Sequence, residues 1–341
     1  MLLKELVSSA KISWCPSPNR DRLSLLALGG CGLSPCLSVG LIDITNSGKD
    51  IENIGTSPLS SRCTSIAWGS YNSEEGALGL ICTGMEDGNM GLFRPVLSTY
   101  DGREGGREVV LERLCEATIH PSAVGCLEFN RTDHHLLASG GNDGKVYVVD
   151  LSDGITGSLN YFEPGKENKH GDYDVTSLKW NPKVPHIMAS SSSNGNTAIW
   201  DLKMKKSAIS FRDPAQRSRP STLAWVPNQP TQIVVGYDDD RNPSLQLWDL
   251  RNVSYPFKEA VSAHQKGVMS IEFSPIDPNL LLPRSSPSST PSSGASRTSG
   301  PRSSPGSLQL RPTMTRSASI PSPPTPARRP IYRPGTASPV E

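Results

Sequence analysis

A repeat of about 50 residues constrains the fold of this chain more than any other feature. Six short phrases recur, each alternating apolar and polar residues and ending at an aromatic: KISWCP, TSIAWGS, GCLEFN, TSLKWNP, STLAWVP and MSIEFSP. Alternation of this kind is typical of a strand with one buried face. The sequence therefore predicts six units that each begin with a strand. The aromatics are Trp14, Trp68, Phe129, Trp180, Trp225 and Phe273, at spacings of 54, 61, 51, 45 and 48 residues.

A second phrase follows each of the first five and predicts the rest of a small antiparallel sheet. Its clearest copies are LLASGGNDGKVYVVDL, IMASSSSNGNTAIWDL and IVVGYDDDRNPSLQLWDL. The dipeptides Asp87-Gly88, Asp143-Gly144 and Asn194-Gly195 permit the positive φ of a tight hairpin. WDL at 200–202 and 248–250 is typical of the WD-repeat class of β-propellers. We predict an all-β, incomplete WD-repeat β-propeller with five blades and part of a sixth, in preference to a β-sandwich.

Several polar residues fit the internal network of a WD unit. In such a unit a His before the first strand, a Ser, a turn Asp and the Trp can hydrogen-bond together, which satisfies buried polar groups. We interpret these residues as blade scaffolding and not as catalytic groups. They are His120, Ser139 and Asp143 in the third unit, where Val149 replaces Trp; His170, Ser190 or Ser191, Asn194, Trp200 and Asp201 in the fourth; Trp248 and Asp249 in the fifth; and His264 before the sixth.

The fifth unit resembles one particular family. Its acidic triplet is followed by Arg241, Pro243, LQLWDLR, His264 and DPNLLL, as in the propeller of the outer-coat rod subunit of the COPII vesicle coat. The second and fourth units and KISWCPSPN are similar to the same family, so the resemblance covers about residues 6–282. It implies a non-enzymatic outer-coat component that supports vesicle budding from the endoplasmic reticulum towards the Golgi. The implied partners are a second WD-repeat outer-coat subunit and the inner coat, at endoplasmic-reticulum exit sites.

The resemblance implies seven blades, whereas this sequence leaves the repeat at Pro283. Residues 283–341 contain 13 Pro and 15 Ser but no Phe or Trp, so they cannot bury enough apolar surface to offset chain entropy. We expect a truncated or alternatively ended form, with a propeller domain at 1–282 and a disordered Pro/Ser/Arg-rich tail at 283–341.

Two short motifs in the tail match known recognition patterns. In RSASIP, Ser319 is a candidate phosphoserine site for 14-3-3 adaptors. In PPTPAR, the residues Pro323, Pro326 and Arg328 fit the PxxPxR form that SH3 domains bind. In a tail of this composition both motifs also arise readily by chance.

Charge and composition argue against several other classes. The tail has eight Arg, no Lys and one acidic residue, which leaves 26 basic and 32 acidic residues in 1–282. A body with a charge of −6 lacks the basic surface that nucleic acids require. Seven scattered cysteines without a CxxC pair predict buried, reduced thiols. We find no signal peptide and no run of the roughly 18 to 20 apolar residues that spans a membrane, which predicts a cytoplasmic protein that reaches membranes only through the coat.

The sequence contains no recognised catalytic motif. Walker A, HExxH, GxSxG and dinucleotide fingerprints are absent, so we predict no enzyme, no cofactor and no metal site. The acidic triplet at 238–240 is interpreted as a solvated turn and not a Ca²⁺ or Mg²⁺ site. The main alternative function is a generic WD-repeat scaffold in a signalling or ubiquitin-ligase complex. A phosphoinositide-binding propeller would need paired arginines on a blade, and the only pair is Arg328-Arg329 in the tail.

Overall fold

The computed structural model describes residues 10–16, 24–32, 34–42, 51–71, 78–99, 107–155, 157–167, 169–214, 219–261 and 266–285. Within these ranges the regular elements are β-strands arranged in six antiparallel sheets. No helix long and apolar enough to cross a membrane occurs among them. The predicted all-β architecture of five full units and part of a sixth is confirmed.

The sheets follow one another along the chain and are numbered here as blades 1 to 6. Blade 1 contains β1 (Ala10–Trp14), β2 (Ser24–Gly30), β3 (Cys36–Ile42) and β4 (Glu52–Pro58). Blade 2 contains β5 (Cys63–Gly69), β6 (Leu80–Met85), β7 (Asn89–Thr99) and β8 (Arg107–Thr118). Blade 3 contains β9 (Val124–Phe129), β10 (Leu136–Gly141), β11 (Val146–Asp150) and β12 (Asn160–Phe162). Blade 4 contains β13 (Val175–Trp180), β14 (Ile187–Ser192), β15 (Asn196–Asp201) and β16 (Lys206–Arg212). Blade 5 contains β17 (Pro220–Trp225), β18 (Gln232–Tyr237), β19 (Ser244–Asp249) and β20 (Lys258–Val261), and blade 6 contains β21 (Val268–Phe273) and β22 (Leu281–Ser285).

The first strand of each blade lies innermost. β1 packs on β5, β5 on β9, β9 on β13, β13 on β17 and β17 on β21. The apolar core lies between blades, because each buried cluster draws on two neighbouring sheets; Phe211 of blade 4, for example, lies 4.6 Å from Trp248 of blade 5 between ring centroids. The alternating apolar positions of the repeat thus pack blade against blade.

The predicted turn glycines join the second and third strands of blades 2, 3 and 4. Gly88, Gly144 and Gly195 have φ values of 87°, 75° and 92°, and each donates its N–H to the carbonyl three residues earlier. A Cβ on Gly88 would lie 1.9 Å from the carbonyl oxygen of His120, at the entry to blade 3. The hairpin needs glycine for its left-handed backbone and for this close approach.

Blade 6 extends past the residue at which we expected the repeat to stop. β22 runs to Ser285, Leu281 lies opposite Phe273, and Pro283 lies opposite Ile271. The strand therefore passes through Pro283 and crosses the predicted boundary at 282. The division into a propeller and a tail remains a prediction.

Candidate functional site

The structure brings together the three polar residues predicted for blade 3. His120 Nδ1 lies 3.0 Å from Asp143 Oδ1, and His120 Nε2 lies 3.0 Å from Ser139 Oγ. Both bonds are satisfied if Nδ1 donates to the carboxylate and the Ser139 hydroxyl donates to Nε2. Burial opposes ionisation of Asp143, but the hydrogen bonds that its carboxylate accepts from His120 and from the backbone N–H of Lys145 outweigh it, so the pKa of Asp143 is lowered. Tyr147 contacts the imidazole edge-on at 4.9 Å.

Blade 4 contains a second network, and it identifies the serine that the sequence left open. Trp200 Nε1 donates to Ser190 Oγ at 2.7 Å, and Ser190 Oγ lies 2.7 Å from His170 Nε2. Ser191 instead pairs with Thr176, at 2.9 Å between hydroxyls. Burial lowers the pKa of His170 to about 4, so the imidazole is neutral at physiological pH and accepts the serine hydroxyl proton.

The remaining two residues predicted in blade 4 organise turns. Asn194 donates from Nδ2 to the carbonyl of His170 at 3.1 Å, and its Oδ1 accepts the N–H of Asn196 at 2.8 Å. Asp201 accepts the N–H groups of Lys203 and Met204 after β15. Asn194 therefore lies beside the histidine network, whereas Asp201 lies outside it.

Blade 5 has a network that the sequence reasoning did not find. Trp248 is fully buried, and its Nε1 donates to Gln246 Oε1 at 3.2 Å; the Tyr237 hydroxyl donates to the same oxygen at 2.8 Å. Gln246 thus takes the place of a histidine–serine pair. Asp249 faces Arg251, whose Nε donates at 2.9 Å and lowers the pKa of the carboxyl to about 2. A Gln two residues before the blade Trp was the available sequence signal.

Ionic contacts also join blades 3 and 4 near their inner strands. Lys179 Nζ lies 3.1 Å from Glu128 Oε1, and the other carboxylate oxygen accepts the backbone N–H of Trp180 at 2.6 Å. The charge of Glu128 raises the pKa of Lys179. The indole of Trp180 donates to the carbonyl of Glu128 at 3.0 Å, and the indole of Trp225 donates to the carbonyl of Lys179 at 3.0 Å. The indoles of Trp180 and Trp225 therefore each bond to the preceding blade.

Hydroxyl groups make analogous bonds at other blade boundaries. Ser13 accepts the N–H of Trp68 at 3.0 Å, and Ser65 donates to the carbonyl of Val124 at 2.8 Å. At each of these boundaries, and at the one held by Glu128, a side chain of one blade bonds to the backbone of the next. Trp14, in the first described strand, is 50% exposed, whereas Trp225 is 5% exposed.

A cavity of about 500 Å³ lies where the inner strands of blades 3 to 6 end. Its size is within the range of small-ligand pockets. Its ionic groups include both signs, with Glu128 paired to Lys179, and the Trp180 and Trp225 side chains among its lining residues are almost fully buried. In the described part of the chain, no group of three or more His, Cys, Asp or Glu side chains is arranged to hold a metal ion. Among the lining residues are Glu128, Arg131, Lys179, Trp180, Trp225, Glu272 and Phe273.

The acidic triplet has structural partners that the sequence did not reveal. Asp238 pairs with Arg219 at 3.1 Å, Asp239 accepts the N–H of Arg241 at 2.8 Å, and Asp240 accepts the N–H of Gly267 at 2.9 Å. The last bond ties this turn of blade 5 to the start of blade 6.

Solvent-exposed aromatics lie on the loop between β19 and β20. Tyr255 is 71% exposed and Phe257 is 67% exposed. Rigid aromatic side chains of this kind are common anchors in protein interfaces. Of the other predicted site residues, His264, Ser319, Pro323, Pro326 and Arg328 lie outside the residues that the structure describes.

Comparisons with known proteins point to one family. The WD domain, G-beta repeat model matches residues 113–150 and 165–201. Protein transport protein SEC31 of Dictyostelium discoideum is 33% identical over 288 residues, which is 82% of this chain and 21% of that protein. Protein transport protein Sec31A of Homo sapiens is 31% identical over 290 residues, which is 83% of this chain and 23% of that protein.

A solved structure has the same fold. The chain solved as "COPII on membranes, outer coat vertex" aligns with a TM-score of 0.67 at 24% identity, covering 82% of this chain and 71% of that one. This chain spans about a fifth to a quarter of the length of the curated relatives it matches. The described blades of this chain form a Sec31-like WD-repeat propeller.

Proposed function

We propose that this chain acts as a component of the COPII outer coat, or as a short form of one, and works by protein–protein contacts in vesicle transport from the endoplasmic reticulum. The observation that carries the proposal is the 31–33% identity to protein transport proteins of the Sec31 group across four fifths of the chain. The relatives favour this role over a generic WD-repeat adaptor.

The chemistry of the described residues fits a binding role without catalysis. The buried histidine and serine side chains bond to one another inside blades 3 and 4, where a substrate would not reach them. The Glu128–Lys179 pair satisfies its own charges between blades. Binding would instead use surface groups, and Tyr255 and Phe257 are the most exposed aromatic pair that the structure offers.

The proposed partners are a second WD-repeat outer-coat subunit and the inner coat. The proposed location is the cytoplasmic surface of endoplasmic-reticulum exit sites and COPII vesicles, with no direct insertion into the bilayer. Both proposals are supported by the identity to protein transport proteins and by the likeness in fold to chains of the assembled COPII coat.

The test is recruitment to a reconstituted coat. Purified full chain would be mixed with liposomes carrying the inner coat, with and without the other outer-coat subunit, and the bound fraction measured by flotation. We expect coat-dependent binding that Y255S/F257S lowers at least fivefold, while M204S, which removes an exposed apolar side chain from blade 4, leaves it unchanged. Flotation that does not depend on the coat proteins would refute the coat role.

A second readout is location in cells. The tagged chain should coincide with exit-site markers, and Y255S/F257S should be diffuse. A diffuse wild-type chain with normal folding would instead favour the adaptor alternative.

A further inference from the structure

Pro283 lies on the outer edge of β22, at the position where a third strand would bond to the sheet. The N–H of Ser274 donates to the carbonyl of Leu280 at 2.8 Å, and the next pair along the ladder is Phe273 with Leu281. Bonded and non-bonded pairs alternate along an antiparallel ladder. The backbone groups of Leu281 and Pro283 therefore face away from β21, towards the edge of β22 that pairs with no other described strand.

In the complete blades this same position bonds to the third strand. In blade 4 the N–H of Leu202 donates to the carbonyl of His186 at 3.0 Å, and the alternation makes Ser190 and Ala198 a bonded pair. In each blade the residue equivalent to Pro283 is the second-strand residue that pairs with the apolar residue two positions before the repeated aromatic. In blades 3, 4 and 5 these pairs are Ser139 with Leu127, Ser190 with Leu178 and Val235 with Leu223. Their third-strand partners are Tyr147, Ala198 and Gln246.

Proline cannot make this bond. It has no N–H, and its ring occupies the side from which a third strand would approach. It is tolerated in β22 because its nitrogen faces the free edge, so the bonds between β21 and β22 are intact. Blade 6 therefore has a proline at the buried-serine position of blades 3 and 4.

We propose that Pro283 closes the edge of blade 6 to strand addition. A third strand, whether from a partner protein or from a second copy of this chain, would lose its central bond and meet the ring. Open sheet edges otherwise template pairing between chains. Partners of this part of the molecule would then contact exposed side chains of blade 6, such as Met269 and Glu272, and would not extend its sheet. This inference goes beyond the proposed coat function and does not depend on it.

The test is to restore the missing donor. P283S introduces the residue that blades 3 and 4 have at this position. Sedimentation velocity of the full chain over a range of concentrations should show P283S self-associating at about a fivefold lower concentration than the wild type, since one hydrogen bond contributes about 1 kcal/mol. The matched control P278S replaces the proline of the adjoining turn and should sediment as the wild type does.

A second variant separates edge pairing from misfolding. L282K adds a charge on the exposed side of the same strand, where paired edges would bring two lysines together. P283S/L282K should return to wild-type sedimentation at low salt, with an unchanged circular dichroism spectrum. Unchanged sedimentation of P283S, or association that L282K does not reverse, would overturn the proposal.

Discussion

Replacing Glu128 with alanine tests whether the ionic contacts between blades 3 and 4 stabilise the array. The carboxylate accepts hydrogen bonds from Lys179 Nζ and from the backbone N–H of Trp180. E128A would leave both donors without their partner at a blade boundary, and the free energy of unfolding should fall.

The burial of the pair sets the size of the effect. The side chains of Glu128 and Lys179 are 16% and 30% exposed. Removing one partner of a buried pair costs about 3–5 kcal/mol, and this partial exposure reduces the expectation to about 2–3 kcal/mol. In urea, with a slope of about 2–3 kcal/mol per molar for a body of this size, the midpoint should move by about 1 M.

The assay is urea unfolding followed by tryptophan fluorescence and far-ultraviolet circular dichroism. The matched control is E112A, which removes the partner of Arg94 from a pair that is 54% and 48% exposed, and it should cost below about 0.5 kcal/mol. E128A/K179M should regain part of the loss, because the unpaired ammonium is removed with the carboxylate. A midpoint shift for E128A no larger than that for E112A would refute the reasoning.

Two further predictions follow from buried groups and backbone geometry. The folded chain keeps His170 neutral down to a pKa of about 4, whereas the unfolded chain protonates it near 6.5, so stability should fall by about 3 kcal/mol as pH drops through this window. H170Q should remove that dependence in urea melts at a series of pH values, and the control H134Q, at a half-buried histidine outside the blade networks, should retain it. G88A should lower the free energy of unfolding by more than about 2 kcal/mol, because it adds a clash with the carbonyl of His120 to the strain at φ 87°. The control G154A, at φ 81° in open space, should lower it by about 1 kcal/mol. Thermal melts measure both, and equal losses would contradict the clash.

The features within one blade could be predicted from the sequence. The repeated aromatics marked the ends of the inner strands, and Asp143-Gly144 and Asn194-Gly195 marked hairpins, because both patterns report local geometry. His120, Ser139 and Asp143 lie together because strand pairing within 25 residues fixes their positions.

The contacts between blades could not be predicted in the same way. Glu128 and Lys179 are 51 residues apart, and their meeting depends on how one inner strand is aligned with the next. No sequence period specifies that alignment. Gln246 was missed because it replaces a histidine network by different chemistry, with Tyr237 as the additional donor.

The full length of the last strand was not apparent from the sequence, for a physical reason. A proline and two polar residues were expected to end the strand at Leu282, yet β22 continues through Pro283 to Ser285. Only the direction of each backbone N–H shows that an edge strand can include this proline without losing a bond to its neighbour.

The bonds that cross from one blade to the next affect how far the sequences of the repeats can diverge. The side chains of Ser13, Ser65 and Glu128 each bond to a main-chain N–H or C=O of the following blade, and Glu128 pairs in addition with the Lys179 side chain. A substitution in that blade leaves those groups in place, so each repeat can change its side chains without losing attachment to its predecessor. Six units with little sequence in common can therefore keep one stacking geometry, provided that each retains a short polar side chain or a carboxylate at the side that faces its successor.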